Sequence, residues 1–296
     1  MIKQTALFSF ICFLLSCQSQ SDKSNLAGLN LSGLIKGDWI GSGQGQVHSN
    51  NKTTFICFDD STCLTSLSMW KDDIQYEIRK DTLRINGQAN TKAIQLIRYI
   101  ILKLTTDSLV LRSATRPQDT LQFSKVRTKN NITPAAIYFA STGCNGTCPE
   151  MGLKIDSARN IRFYGGRHTS KTGSFSGRIS QNEYNSIINE IRNLPVDSLQ
   201  KYYGALYADD QTLGLVIDCG NRVIRSAAYG HGEEPMELHL LFTKLKNLYW
   251  HVDLQPDSSM VDENWPRVLP WFAENPPPPP PPIICPNKKF TPPPNK

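Results

Sequence analysis

Between about Leu34 and Arg127, apolar and polar residues alternate with period two in short runs separated by turn residues. This is the pattern of half-buried antiparallel strands. Ile74, Tyr76 and Ile78 alternate with polar residues, Lys80-Asp81 makes a turn, and Leu83 and Ile85 resume the alternation. Tyr99–Leu104 and Leu109–Leu111 flank a turn at Thr105–Ser108, and Leu121 and Phe123 mark a further strand. Ile94–Leu104 also carries apolar residues at helical spacing, but its β-branched and aromatic content favours a strand. The segment 34–128 therefore predicts an all-β unit, a small up-and-down barrel of about seven or eight strands.

Asn130–Pro134 reads as a linker, after which the pattern changes. Strands are expected at Ala135–Ala140, Leu153–Ile155 and Ile161–Tyr164. Ser180-Gln181-Asn182-Glu183 is a capping box, because the serine oxygen can accept from the Glu183 N–H while the glutamate reaches back. Tyr184, Ile187, Ile188, Ile191 and Leu194 then share one helix face, and Pro195 ends it. A second hairpin, Leu213–Asp218 with Arg222–Ala228, turns at Cys219-Gly220-Asn221. A last helix starts near Pro235 and buries Leu238, Leu241, Phe242, Leu245 and Tyr249. The order predicts an α+β unit over 133–252, an antiparallel sheet with two helices on one face.

The two ends differ from both units. Residues 1–16 have the charged start and apolar core of a secretory signal, too short for a bilayer span of ~20 residues. Leu14-Leu15-Ser16-Cys17 resembles the lipobox of bacterial lipoproteins, which implies acylation at Cys17 and anchorage in the cell envelope, with the outer membrane as the expected address. Residues 17–33 read as a polar tether and 253–296 as a tail with an unbroken run Pro276–Pro282, a polyproline rod. The chain has 296 residues, 32 Lys and Arg against 26 Asp and Glu, and a formal charge of +6. The bases are interleaved with acids, so no nucleic-acid partner is expected.

Two further resemblances rest on motifs. Gly37-Asp38-Trp39 at the first strand, followed by a meander with Asp-Thr-Leu and Asp-Ser-Leu turns, resembles the compact lipocalin-like domains of bacterial lipoproteins. That resemblance implies a barrel plugged at one end by Trp39, and about 90 residues favour a filled barrel over a transport cup. Cys144-x-Gly146-x-Cys148-Pro149, Tyr164-Gly165, the serine-capped helix at Ser180 and the strand after Asp210 together resemble an uncharacterised domain-of-unknown-function family of bacterial envelope lipoproteins. It implies an exported α+β module and no known activity.

Cysteines carry the main chemical question. With Cys12 in the signal and Cys17 acylated, six remain: Cys57, Cys63, Cys144, Cys148, Cys219 and Cys285. Cys57 and Cys63 flank the turn signal Asp59-Asp60-Ser61, which suggests a disulfide across a hairpin. Cys144 and Cys148 can close a small disulfide, bind Cu(I) or act as a redox dithiol, and the structural staple is favoured. His168 or His231 would be the extra ligand for a metal. Asp209, Asp210 and His231 form a candidate ligand loop. The templates of hydrolases, metalloproteases, nucleotide-binding loops and dinucleotide folds are absent from the sequence. The expectation is a non-enzymatic, lipid-anchored protein with a protein, peptide or glycan partner and no cofactor. A thiol or Cu(I) role at Cys144 and Cys148, and an apolar ligand in the barrel, are the alternatives.

Overall fold

A computed structural model describes residues 30–42, 53–66, 74–88, 94–204, 210–230 and 233–258. The signal and Cys17, most of the tether, Asp209, His231, Cys285 and the proline run lie outside the described residues.

A short helix α1 (Leu31–Ile35) leads into β1 (Gly37–Ser42). β2 (Thr53–Phe58), β3 (Thr62–Thr65), β4 (Ile74–Arg79), β5 (Thr82–Gln88), β6 (Ile94–Leu104), β7 (Ser108–Ser113) and β8 (Thr120–Lys125) follow as an antiparallel meander. Among the described residues these eight strands form a closed barrel, because β1 pairs with both β2 and β8. The inward positions are filled by Trp39, Ile56, Phe58, Leu83, Leu109, Phe123 and their neighbours. Gly37 takes φ 101°, a conformation costly for any residue with a Cβ, and so turns the chain from α1 into β1. Trp39 is fully buried, and its indole N–H donates to the Ile35 carbonyl at 2.6 Å. Lys125 Nζ lies 4.9 Å from its ring centroid. Leu31, Leu34 and Ile35 pack on the same core, so the helix joins the fold from Leu31 onward.

The second unit contains β9 (Ala136–Ser141), β10 (Met151–Asp156), β11 (Asn160–Gly165), β12 (Gly173–Arg178), α2 (Gln181–Asn193), β13 (Tyr203–Gly204), β14 (Thr212–Asp218), β15 (Val223–Tyr229), α3 (Met236–Asn247) and β16 (Leu254–Pro256). Its sheet runs β13-β15-β14-β9-β10-β11-β12-β16, antiparallel except for the short β13–β15 pair. One face carries α2 and α3 over the main core, where Phe139, Phe163, Ile191, Leu241 and Phe242 meet. The capping box forms as the sequence requires: Glu183 N donates to Ser180 Oγ (3.2 Å) and Ser180 N to Glu183 Oε2 (3.0 Å). The all-β and α+β fold classes are thus both present.

The units are docked. β2 is buried on both sides, with Ile56 and Phe58 inside the barrel and Phe55 and Cys57 facing Met236 and Leu240 of α3. Met236, Leu240 and Lys244 recur every four residues and form one stripe of α3 toward the barrel. Leu238, Leu241, Phe242 and Leu245 meanwhile face the sheet. The connection is held as well: Asn130 Nδ2 donates to the carbonyls of Ile191 (3.0 Å) and Leu194 (2.9 Å) at the end of α2. No helix among the described residues is long and apolar enough to cross a membrane.

Candidate functional site at the seam

The Met236–Leu240 stripe ends in charge. Lys244 Nζ, reaching from α3, donates to Asp38 Oδ1 of β1 at 3.3 Å, to Ser186 Oγ of α2 at 3.2 Å, and to Glu190 Oε1 of α2. Glu190 is fully buried, while the side chains of Lys244 and Asp38 keep 17% and 19% exposure. Two carboxyls face one ammonium, so one negative charge would be unbalanced in a low-dielectric setting. Glu190 is the group that gives way. Burial, with the nearby Asp38 charge, pushes its pKa up to about 8 against the pull of Lys244. Its Oε2 is buried with no hydrogen-bond partner among the described residues, which makes the anionic form costly. Burial would also raise Asp38, but Lys244 overcomes it and holds that carboxyl below its ordinary range. Burial alone would lower Lys244, yet the carboxyls raise it, so it stays charged. Burial and the Asp38 charge lift the Cys57 thiol well above its usual value, so it is no thiolate nucleophile.

Asp38, Cys57 and Lys244 floor a cleft of ≈ 510 Å³ between the units, with Glu190 behind them. One wall is the β2–β3 turn with Asp59, Asp60 and Thr62; the other is α2 with Asn182, Asn185, Ser186 and Asn189, closed at the end of α3 by Asn247 and His251. The acidic turn is anchored. Tyr76 OH donates to the Asp59 carbonyl (2.8 Å), Asp59 N to the Thr62 carbonyl (2.9 Å), and Lys36 pairs with Asp60 at 2.5 Å. A serine beside a lysine is a nucleophile–base pair only when the lysine is neutral. Clamped by two carboxyls, Lys244 is a charged hydrogen-bond donor and a strut, and the cleft offers hydrogen bonds and charge.

Cys144 and Cys148 are joined in a disulfide, with Cα atoms 5.5 Å apart, in the loop from β9 to β10. β10 follows the motif, so the cysteines do not sit on a helix N-terminus. The loop's neck is closed by Gln211, 2% exposed, whose Nε2 donates to the carbonyls of Thr142 and Pro149 (both 2.9 Å). Beside it lies a cavity of ≈ 370 Å³ that brings Cys144 together with Asp210, Tyr229 and the Glu150–Arg167 ion pair. Arg167 donates to Glu150 Oε1 from Nε at 3.0 Å and from Nη2 at 2.5 Å, and these hydrogen bonds hold the carboxyl below its ordinary range. Gly143 makes room for the pair, since a Cβ there would sit 2.6 Å from Glu150 Oε1. Asp210 Oδ1 accepts from Gln211 N (2.7 Å) and so shapes the start of β14.

The expected Cys57–Cys63 disulfide is corrected. The register pairs Phe58 with Cys63 and Cys57 with Leu64, an offset of one residue. Because side chains alternate across a strand, that offset puts Cys63 in the barrel core and Cys57 on the outer face toward α3, and the two are not bonded to each other. His168 sits in the turn after β11 at φ 61°, and among the described residues no group of three His, Cys, Asp or Glu is arranged to hold a metal. Asp38, Ser186, Glu190 and Lys244 were not singled out by sequence. The available signal was Lys244 continuing the Met236–Leu240 stripe.

No curated protein and no solved structure matches the chain. Residues 135–249, from β9 to just beyond α3, match the model of the family described as a domain of unknown function (DUF6438), in agreement with an uncharacterised domain expected for this part of the chain. The α+β unit thus carries a DUF6438 match over residues 135–249, in a chain that also has an eight-stranded barrel meeting it at the Asp38–Lys244–Glu190 seam.

Proposed function

We propose that this is a lipid-anchored protein of the bacterial cell envelope that works by binding rather than by catalysis, with the seam cleft as its ligand site. The lipobox-like Leu14–Cys17 supports an acyl anchor at Cys17, in the outer membrane, with both folds held off the bilayer on the tether. The observation that carries the binding assignment is the cleft itself. It is concave, of ligand size, lined by side chains of both units, and floored by a lysine locked in its charged form. General acid–base chemistry wants a group that titrates near neutrality within reach of substrate. Glu190 titrates there but stands behind Lys244, outside the lining of the cleft. The filled barrel core favours the seam over the barrel interior as the place for a protein, peptide or glycan partner.

Two measurements on the full-length protein test this. Intact mass should show acyl groups on the chain that begins at Cys17, and Cys17→Ser should move the protein to the soluble fraction. Hydrogen exchange should slow at 182–189 and 57–64 on adding soluble envelope extract, and Ser186→Trp, which fills the cleft, should abolish the effect. Exchange unchanged in these segments contradicts the cleft assignment. A second reading, thiol exchange or Cu(I) handling, draws on the partial exposure of Cys144 and its position beside Arg167. It requires ready reduction by mild thiols followed by Cu(I) uptake or disulfide exchange, and absence of all three removes it.

A further inference from the structure

Asn182, Asn185, Ser186 and Asn189 line the cleft and fall at i, i+3, i+4 and i+7 of α2, a single stripe of the helix. The three asparagines are exposed, whereas Ser186 bonds to the floor through Lys244. From first to last the stripe runs roughly 10 Å at ~1.5 Å per residue, the length of about three residues of extended chain at ~3.3 Å each. An asparagine amide offers both donor and acceptor, which is what each peptide unit of an extended chain requires. Gln181 Nε2 donates to Asn185 Oδ1 at 2.8 Å, which leaves the Asn185 NH₂ as donor.

The opposing wall adds charge. The lining holds the carboxylates of Asp38, Asp59, Asp60 and Glu183 against the ammonium of Lys244, an acidic cleft in a chain of formal charge +6. Lys36 offsets Asp60, and Asp59 stands exposed beside it. Sugars are commonly gripped by an exposed aromatic face as well as by amides. Here the lining contributes Phe58, which is 4% exposed and packs edge-on against Tyr76 within the barrel. A simple polyamine would satisfy the carboxylates and leave the amide stripe without partners.

We infer that the seam cleft binds an extended peptide segment bearing lysine or arginine, with the α2 amides pairing to its main chain and the Asp59–Asp60 turn receiving its cationic side chain. This rests on the cleft being the ligand site and adds the class of ligand.

Fluorescence anisotropy of the full-length protein with labelled (Ala-Lys)₃, labelled (Ala-Glu)₃ and labelled chitotriose tests it. The Lys peptide should bind at least about tenfold more tightly than the Glu peptide, and rising salt should weaken it, because the attraction is to exposed carboxylates. Asn185→Ala with Asn189→Ala should reduce the affinity about tenfold, and Asp59→Asn about threefold with a shallower salt dependence. These positions are exposed, so an unchanged thermal melt will separate lost binding from lost folding. Equal affinity for the two peptides, or Lys-peptide binding undiminished in the double variant, overturns the inference. Chitotriose binding that Ser186→Trp blocks, without peptide binding, overturns the peptide class and leaves the cleft as the site. If no probe binds, the peptide inference falls, and the hydrogen-exchange experiment then decides the cleft separately.

Discussion

The inside of the barrel and the seam outside it share one strand and are opposite in character. β2 sends Ile56 and Phe58 inward to Trp39 and the apolar core, and Phe55 and Cys57 outward to α3. Inside, a mostly apolar set of contacts closes around a tryptophan whose indole N–H is satisfied by the Ile35 carbonyl and whose ring carries Lys125 at one end. Outside, the apolar patch of Met236 and Leu240 gives way within one helical turn to Lys244, Asp38 and Glu190. A core of the first kind fixes shape and does not respond to pH or charge. A seam of the second kind keeps polar groups desolvated yet beside a cleft, where a ligand can reach their neighbours. On the proposed function, the interior sets the shape and the seam carries recognition.

Trp39→Ala should hit the interior hardest, at about 3–5 kcal/mol for loss of a fully buried large aromatic, read as a drop in the urea midpoint. Lys244→Met should cost about 3–5 kcal/mol for a different reason, since it leaves Asp38 and Glu190 facing each other without their cation. The comparison sharpens if Glu190→Leu and Asp38→Asn are added to Lys244→Met: stability should recover while peptide binding does not, whereas no second change at the seam should rescue Trp39→Ala.

Next comes the pH dependence. Folded Glu190 keeps its proton up to about pH 8, while in the unfolded chain it loses it near its ordinary 4.5. Between those values the folded state binds one proton more, so stability should fall as pH rises through this window. Asp38, held low, acts in the opposite sense and only below it. Glu190→Gln should flatten the 5-to-8 slope in pH-dependent melts, and a slope that survives the substitution contradicts the assignment. Removing the disulfide with Cys144→Ser and Cys148→Ser should cost about 2 kcal/mol, the loop-closure value for so short a loop. The smallest effect on folding is expected for Asn185→Ala with Asn189→Ala, within about 0.5 kcal/mol, although this pair should lose ligand.

Local features were readable from sequence because their causes are local. The alternation at Ile74–Ile78, the Lys80-Asp81 turn, the Ser180–Glu183 box and the stop at Pro195 each depend on neighbours within a few residues. Strand β12, GSFSGR, escaped because its glycines and serines give no apolar alternation. Cys57 and Cys63 misled because a turn signal brings chains together without stating the register, and one residue of offset decides which face each side chain takes. The seam was illegible for a further reason. Asp38 and Lys244 stand 206 residues apart in sequence, and each alone looks like an ordinary polar residue at the end of an element. The asparagines of α2 went unnoticed beside its apolar face, because only the barrel wall opposite makes their stripe a lining.

The most direct test of the seam as the binding site is ¹⁵N chemical-shift mapping of the full-length protein titrated with (Ala-Lys)₃. The predicted result is saturable shifts concentrated in the side-chain amides of Asn182, Asn185 and Asn189 and the backbone of Asp59–Thr62, with the barrel-core amides of β5 to β7 unmoved. Shifts confined to the barrel core, or to the loop cavity around Cys144 and Asp210, would contradict it.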